Sequence, residues 1–185
     1  MEMMGFGPKW RKWISSCLES ATISILVNGS PTNEFKLQRG VRQGDPLSPF
    51  LFILAAEGLY LLMKAAVRHN MFEGIEVGND KISISHLQYV DDMIFFGSWS
   101  LENINNLMLL LKCFEETSGI KVNYNKSNLF GIGVEKCEIE QTAGIFGCKV
   151  GLLPFTYPGL PIGANMNKSQ SWKPVVDKFE KRLAD

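Results

Sequence analysis

Two adjacent carboxylates, Asp91 and Asp92, interrupt an apolar run that extends from His86 to Phe96. Tyr, Val, Ile and Phe favour β-strands, whereas Asp is depleted in strands and enriched in tight turns. The pattern therefore predicts a β-hairpin with the two acids at its tip. Two carboxylates held close together repel each other unless a cation compensates, and hard oxygen ligands suit magnesium. A metal site is one interpretation, and an ordinary turn with two solvated acids is the other.

The composition is typical of a globular protein. Of the 185 residues, 45% are hydrophobic and 21% are charged, which differs from the composition of a disordered chain. Lys plus Arg and Asp plus Glu number 19 each, so no net positive charge indicates a nucleic-acid partner. Any such binding must use one of three local clusters: Lys9, Arg11 and Lys12; Lys36, Arg39 and Arg42; or Lys168, Lys173, Lys178, Lys181 and Arg182.

The cysteines and histidines indicate neither a zinc site nor a disulfide framework. The four cysteines include no C-x-x-C pair, and the two histidines are dispersed, so reduced thiols without a disulfide partner are expected. The N-terminus lacks the apolar core of a signal peptide. The longest apolar run, from Phe50 to Met63, is interrupted by Glu57 and is too short to span a bilayer. An intracellular protein, nuclear or cytoplasmic, without a membrane segment is expected.

Hydrophobic periodicity and turn residues predict the order of the elements. The N-terminal part is predicted to contain a helix over residues 8–19, a hairpin with strands at 21–27 and 34–37, a functional loop over 38–49, and an apolar, buried helix over 49–68. The middle of the chain is predicted to contain a turn at 74–79, a strand from 81 that leads to the aspartates and a return strand to 97. A core helix follows over 101–117, with Ser100 as its cap and Gly119 as its stop. The remainder is predicted to contain a polar turn at 122–127, a strand at 128–132, a helix over 135–144, an extended segment at 154–163 and a helix from 171.

Four segments in this order resemble the reverse transcriptase palm of non-LTR (long-interspersed-element type) retrotransposons, especially those of plants. They are Arg42-Gln43-Gly44-Asp45-Pro46-Leu47-Ser48-Pro49, Tyr89-Val90-Asp91-Asp92, Ser118-Gly119-Ile120-Lys121-Val122-Asn123 with Lys126-Ser127, and Tyr157-Pro158-Gly159-Leu160-Pro161-Ile162-Gly163. Each segment alone is weak evidence for this family, but the four segments in this order are specific to it. The likeness also includes residues 5–10 and 26–29, so it covers almost the whole chain.

The resemblance implies RNA-templated DNA synthesis by a two-metal mechanism, with Mg²⁺ as the cofactor and an RNA template, a DNA primer and dNTPs as partners. Asp91 and Asp92 match the catalytic, metal-binding aspartate pair, and Asp91 is the better candidate for direct coordination. Lys126 matches a basic residue near the nucleotide phosphates, where a catalytic role and a solvated lysine both fit.

Other matched positions would bind the substrates. Tyr89, Arg42, Gln43 and Gly44 match positions that contact the template and the incoming nucleotide, and Asp45 is expected to cap the turn before Pro46. The primer grip is matched by Tyr157, Gly159 and Leu160, although Pro158 stands where the family usually has Leu, and proline is disfavoured inside a strand.

The implied fold is α/β (α+β): a right-hand polymerase palm whose antiparallel sheet contains the aspartate hairpin and is backed by the helices near 49–68 and 101–117. Residues 1–163 would form a partial palm, and 164–185 the start of the thumb or connection helix, with the fingers and most of the thumb missing. In this family a third essential carboxylate lies on a strand that precedes the Gly5 segment. The sequence lacks this strand, so a fragment that is inactive alone is expected.

Two other interpretations stay open. A non-enzymatic nucleic-acid-binding remnant would keep the palm surface without its chemistry, although the neutral net charge argues modestly against strong autonomous binding. A group II intron maturase-like polymerase would need a downstream splicing domain, and viral RNA-dependent polymerases typically carry Gly-Asp-Asp in place of Tyr89-Val90-Asp91-Asp92.

Overall fold

The computed structural model describes residues 1–2, 4–36 and 44–183 and divides them into two units. The first unit comprises residues 1–65 and 112–120, and the second comprises residues 66–111 and 121–185. Both contain helices and short strands, so the predicted mixture of α and β structure is confirmed. The strands of the described residues form six two-stranded sheets. The expected single antiparallel sheet is therefore not formed within this part of the chain.

The first unit begins with helix α1 (Pro8–Glu19), as predicted. Proline suits the first helical position because its missing N–H would have no partner there. Ile14 is the buried residue of this helix, and the Trp10 ring meets Phe50 edge to face at 6.0 Å.

The predicted N-terminal hairpin is confirmed, but its ladder is interrupted. Strand β1 (Thr22–Ile23) pairs with β4 (Phe35–Lys36), and β2 (Leu26–Val27) pairs with β3 (Ser30–Pro31). Between the two ladders the Thr32 hydroxyl accepts a hydrogen bond from the Ile25 N–H over 3.0 Å. Asn28 and Gly29 both have positive φ, as a two-residue type I′ turn requires.

Helix α2 (Ser48–Arg68) matches the predicted span, and its entry is held by Asp45. The Asp45 carboxylate accepts the Leu47 N–H over 2.8 Å, which confirms the expected capping role. The prediction that this helix is buried is wrong: within it only Leu59, Met63 and Ala66 are buried, and Ile53 is 65% exposed. By length and composition α2 could cross a membrane, whereas the apolar run from Phe50 to Met63 alone is too short to do so. One such helix is weak support for a membrane span, because a core helix of a soluble protein has the same composition.

Helix α3 (Leu101–Ser118) has both predicted ends. The Ser100 hydroxyl accepts the Asn103 N–H over 3.1 Å, and Gly119 follows the helix with a φ of +74°. Leu110, Leu111 and Phe114 are buried, but Leu101 is 69% exposed and does not belong to the core. A residue in the first turn of a helix has no preceding turn to cover it, which explains why Leu101 is exposed although the helix was predicted to be a core helix.

Hairpins and two further helices complete the second unit. Strand β5 (Ile75–Val77), which was predicted as part of a turn, pairs with β6 (Ile82–Ile84). The predicted extended segment forms β11 (Phe155–Tyr157) and β12 (Leu160–Ile162), which are antiparallel. The other elements are β7 (His86–Tyr89), β8 (Asp92–Phe95), β9 (Asn128–Leu129) parallel to β10 (Lys149–Val150), α4 (Lys136–Phe146) and α5 (Ser169–Leu183).

Candidate active site

The aspartate pair lies at the end of the β7–β8 hairpin. Tyr89 stands opposite Asp92 in the antiparallel ladder, so Val90 and Asp91 form a two-residue loop. The prediction of a hairpin is confirmed, but the loop begins one residue earlier than expected. Asp91 lies in the turn itself, whereas Asp92 is the first residue of β8.

The turn places a β-branched residue in the left-handed region. Val90 has a φ of +54°, and a positive φ at the first loop position alone is the pattern of a type II′ turn, where glycine is usual. A valine in this conformation costs on the order of 1–3 kcal/mol, and such residues cluster at functional sites. The Gln88 side-chain amide donates to the Val90 carbonyl over 3.2 Å, which helps to hold the strained turn.

Asp91 and Asp92 present two solvent-facing carboxylates. Both residues are exposed, and no ion pair within residues 1–2, 4–36 and 44–183 involves either of them. Adjacent anionic oxygens without a cationic partner suit a hard divalent ion such as Mg²⁺. No group of three or more Asp, Glu, His or Cys side chains with metal-binding geometry occurs among the described residues. The donor set therefore fits Mg²⁺ in kind but supplies only two side chains.

Tyr157 connects the β11–β12 hairpin to the aspartate hairpin. Its hydroxyl donates to the backbone carbonyl of Asp92 over 3.1 Å and lies 3.4 Å from that of Leu87. Burial first, and then the charge of Asp92, raise the pKa of the Tyr157 hydroxyl, while a hydrogen bond from the Tyr89 backbone acts in the opposite direction. Tyr157 thus stays a neutral donor at physiological pH.

The predicted primer-grip turn shares an open cleft with Tyr89. Gly159 and Leu160 line this cleft of about 450 Å³ together with Pro158 and four α5 residues: Val175, Lys178, Phe179 and Arg182. Pro158 lies in the turn, outside both strands, and Gly159 follows it with a φ of +93°. The replacement of Leu by Pro therefore leaves the β11–β12 ladder intact.

Of the remaining predicted residues, Lys126 belongs to the same unit as the aspartates. Lys126 ends a short 3₁₀ turn (Tyr124–Lys126) capped by Asn123, and its exposed side chain is not joined to Asp91 or Asp92 by any hydrogen bond or ion pair of the described residues. Gly44 belongs to the first unit and has a φ of +86°, which a close backbone approach would use. Arg42 and Gln43 lie outside the described residues.

Asn103, a buried residue that supports the ends of the β5–β6 and β7–β8 hairpins, was not predicted from the sequence. Its side chain is bonded to the backbone of Glu73 in both directions, and its Nδ2 also donates to the Ser98 carbonyl over 3.0 Å. These bonds connect the segment before β5 to the segment after β8. The available signal was the position of Asn103 on the helical face that also carries Leu107 and Leu110, where a polar residue needs buried partners.

The chain is similar to reverse transcriptases and to retrotransposon polyproteins. Residues 1–162 match the family described as reverse transcriptase (RNA-dependent DNA polymerase). The chain is 35% identical over 116 residues to an uncharacterized mitochondrial protein of Arabidopsis thaliana, in an alignment that covers 59% of this chain and 88% of the relative. It is 28% identical over 126 residues to the retrovirus-related Pol polyprotein from type-1 retrotransposable element R2 of Popillia japonica.

A third relative is the retrovirus-related Pol polyprotein from type-2 retrotransposable element R2DM of Drosophila melanogaster, with 26% identity over 140 residues. The two Pol alignments cover 68% and 72% of this chain but only 20% and 12% of the relatives. The chain thus spans a fifth or less of the length of these polyproteins.

Proposed function

The chain belongs to the reverse transcriptase family, and on this premise we propose that it carries two metal-binding carboxylates of an RNA-directed DNA polymerase from a non-LTR retrotransposon. The R2 polyproteins favour a retrotransposon lineage over a group II intron maturase or a viral polymerase. The plant relative agrees with the resemblance to plant elements. Because the chain covers a minor part of the polyproteins, the polymerase activity is proposed for the whole enzyme.

The observation that carries the proposal is the exposed carboxylate pair at the end of a β-hairpin. Asp91 and Asp92 would hold Mg²⁺, with Asp91 in the turn as the better candidate for direct coordination. When bound, Mg²⁺ supplies the charge that activates a primer 3′ hydroxyl and stabilises the leaving pyrophosphate. The chain contributes a rigid support, because the Tyr89–Asp92 pair closes the turn and Gln88 holds the loop carbonyl.

The residues around the cleft would position the nucleic acid. The exposed ring of Tyr89 would stack on the primer end or the incoming dNTP, and Gly159 and Leu160 would contact the primer strand. Independently of the cleft, the family resemblance assigns contacts with the RNA template and the nucleotide to Arg42, Gln43 and Gly44, and contact with the phosphates to Lys126. In this proposal residues 1–163 are part of the palm and 164–185, which contain α5, are the start of the thumb.

We further propose that the 185-residue polypeptide has no polymerase activity by itself. With Asp91 and Asp92 alone, the site would have one carboxylate fewer than the three that the family uses to hold its metal ions. Weak Mg²⁺ binding is therefore expected, because the affinity for a hard cation depends on the number of charged oxygen ligands.

An NMR titration tests the metal site directly. Titrating Mg²⁺ into the isotope-labelled chain should produce small, weakly saturating shifts that are confined to residues 89–93. Asp91→Asn and Asp92→Asn should abolish them, and Asp80→Asn, which changes an exposed acid in another hairpin turn, should not. Shifts that persist in both Asn variants would overturn the assignment, and tight saturable binding in the unmodified chain would contradict the incomplete ligand set.

Primer extension tests the proposed activity. With Mg²⁺ and poly(rA)/oligo(dT), the 185-residue chain should give no product. A longer chain that supplies the upstream Asp-bearing strand together with the fingers and thumb of this family should extend the primer, and Asp91→Ala in that chain should abolish the activity. Measurable extension by the 185-residue chain would refute the proposed inactivity, and extension that survives Asp91→Ala would refute the catalytic assignment.

The cationic wall of the cleft favours a second candidate function, namely nucleic-acid binding without chemistry. Lys178 and Arg182 lie one helical turn apart on α5 and line the cleft beside Tyr89 and Phe179, so cations and aromatic rings adjoin as in single-strand binding surfaces. Affinity for an RNA–DNA hybrid that falls steeply with salt would support this function. Lys178→Gln should then weaken binding more than Lys173→Gln, which removes the same charge outside the cleft. Equal effects of the two variants would argue for non-specific attraction.

A further inference from the structure

Tyr157 bonds to both strands of the aspartate hairpin. Its hydroxyl lies 3.1 Å from the carbonyl oxygen of Asp92 in β8 and 3.4 Å from that of Leu87 in β7. These contacts join positions 65 and 70 residues apart in the sequence. Local chain geometry therefore does not impose them.

The hydroxyl faces the hairpin and not the cleft. Pro158, Gly159 and Leu160 line the cleft, whereas Tyr157 does not. A phenol has one proton to donate, and here two carbonyls share it, with Asp92 the nearer acceptor. The group that would otherwise be free to bind a primer is thus already engaged.

The position of the bond determines what it can control. The backbone carbonyl of Asp92 and its side-chain carboxylate, which is proposed to bind metal, belong to the same residue. Asp92 also pairs with Tyr89 and thereby closes the strained turn. Fixing this carbonyl therefore restrains the backbone that aims the carboxylate. Because Tyr157 immediately precedes Pro158 and Gly159, the same bond sets the distance between the cleft wall and the aspartates.

We propose that Tyr157 is a positioning residue for the aspartate pair, which it holds through the Asp92 and Leu87 carbonyls, and that it is not a primer contact. The proposal rests on the proposed function of Asp91 and Asp92, but the link itself can be tested separately. It assigns the primer-facing role of this turn to Gly159 and Leu160.

The decisive variant is Tyr157→Phe, which keeps the ring and removes only the hydroxyl. In NMR spectra of the 185-residue chain, the carbonyl carbon signals of Asp92 and Leu87 should move as expected for the loss of a hydrogen bond. Amide hydrogen exchange over residues 87–94 should accelerate about fivefold, the effect of losing one ordinary hydrogen bond. Exchange in the β5–β6 hairpin should not change. Tyr60→Phe, which removes a hydroxyl from α2, should leave the Asp92 and Leu87 signals in place.

Unchanged carbonyl signals in Tyr157→Phe would overturn the proposal, and so would an acceleration of exchange that is equal in both hairpins, because that would indicate general destabilisation. The Mg²⁺ titration separates this failure from that of the proposed function. If Tyr157→Phe changes the hairpin signals while the unmodified chain shows no Mg²⁺ response, the link stands and the metal site fails. If Mg²⁺ shifts Asp91 and Asp92 equally in both proteins, the metal site stands and the positioning role fails.

Discussion

The side chain of Asn103 pairs with the backbone of Glu73 as one peptide group pairs with another. The Glu73 N–H donates to Oδ1 over 2.8 Å, and Nδ2 donates back to the Glu73 carbonyl over 2.9 Å. Asn103 is 5% exposed, so water cannot replace these bonds. A helix residue thereby satisfies the backbone of a segment that enters the β5–β6 hairpin.

Replacing Asn103 with Ala should destabilise the protein by about 2–3 kcal/mol, because the Glu73 N–H and the Ser98 carbonyl would lose buried partners. Urea denaturation measures this difference. Asn105→Ala, an exposed position on the same helix, should change the free energy of unfolding by less than about 0.5 kcal/mol. Similar losses in both variants would show that the buried hydrogen bonds of Asn103 do not determine the effect, because alanine has the higher helix propensity at both positions.

Gly97 should not tolerate a methyl group. A Cβ at this position would lie 2.7 Å from Asn103 Nδ2 and 2.8 Å from the Phe72 ring, so Gly97→Ala should cost about 1–3 kcal/mol through overpacking. The control is Gly58→Ala in α2, where a Cβ would meet nothing within 4 Å and alanine should stabilise the helix by up to about 1 kcal/mol. Thermal unfolding of the two variants should therefore shift in opposite directions.

The helices could be predicted from the sequence because their signals are local. Ser100 and Gly119 marked the ends of α3, and Pro8 marked the start of α1, within one residue of the structure. The burial of α2 could not be predicted in this way. Its composition is apolar on every side, but burial depends on which elements cover the helix, and Ile53 is uncovered in the first unit.

The candidate site could be predicted only in part. The adjacent acids and their aromatic neighbours are contiguous, so the hairpin that carries Asp91 and Asp92 was evident from the sequence. Tyr157 and Asn103 act through contacts with residues far away in the chain. Periodicity places Asn103 on a buried helical face, but it does not identify the partners of either residue. The positive φ of Val90 was also hidden, because valine is not a turn residue.

The conformation of Val90 predicts that glycine would stabilise this turn. Val90 is 64% exposed and has a φ of +54°, so Val90→Gly removes about 1–2 kcal/mol of steric cost, only partly offset by the greater freedom of glycine when unfolded. A small net gain in the free energy of unfolding is expected. Val77→Gly, an exposed valine in the regular strand β5, should instead lose about 1 kcal/mol. Destabilisation by both substitutions would contradict the proposed strain.

His86 should make the stability fall in mildly acidic solution. Burial lowers its pKa below the ordinary value of 6.5. Its Nδ1 lies 2.9 Å from the Ser85 hydroxyl, and its ring lies 6.3 Å from the Phe95 ring. Below about pH 6.5 the His86 imidazole therefore binds a proton more readily in the unfolded chain than in the folded chain, so protonation favours unfolding. The stability that depends on a neutral His86 is fully present above this pH, and it is lost as the pH falls towards the lower pKa of His86 in the folded state.

Urea denaturation at a series of values from about pH 8 to about pH 5 would measure this effect. His86→Gln should flatten the fall in the free energy of unfolding over that interval, because the titrating group is gone from both states. His69→Gln, which removes the other histidine at an exposed position, should leave the slope as it is. An equally steep fall in His86→Gln would mean that other groups cause the acid sensitivity, and that the base of the aspartate hairpin does not respond to pH through His86.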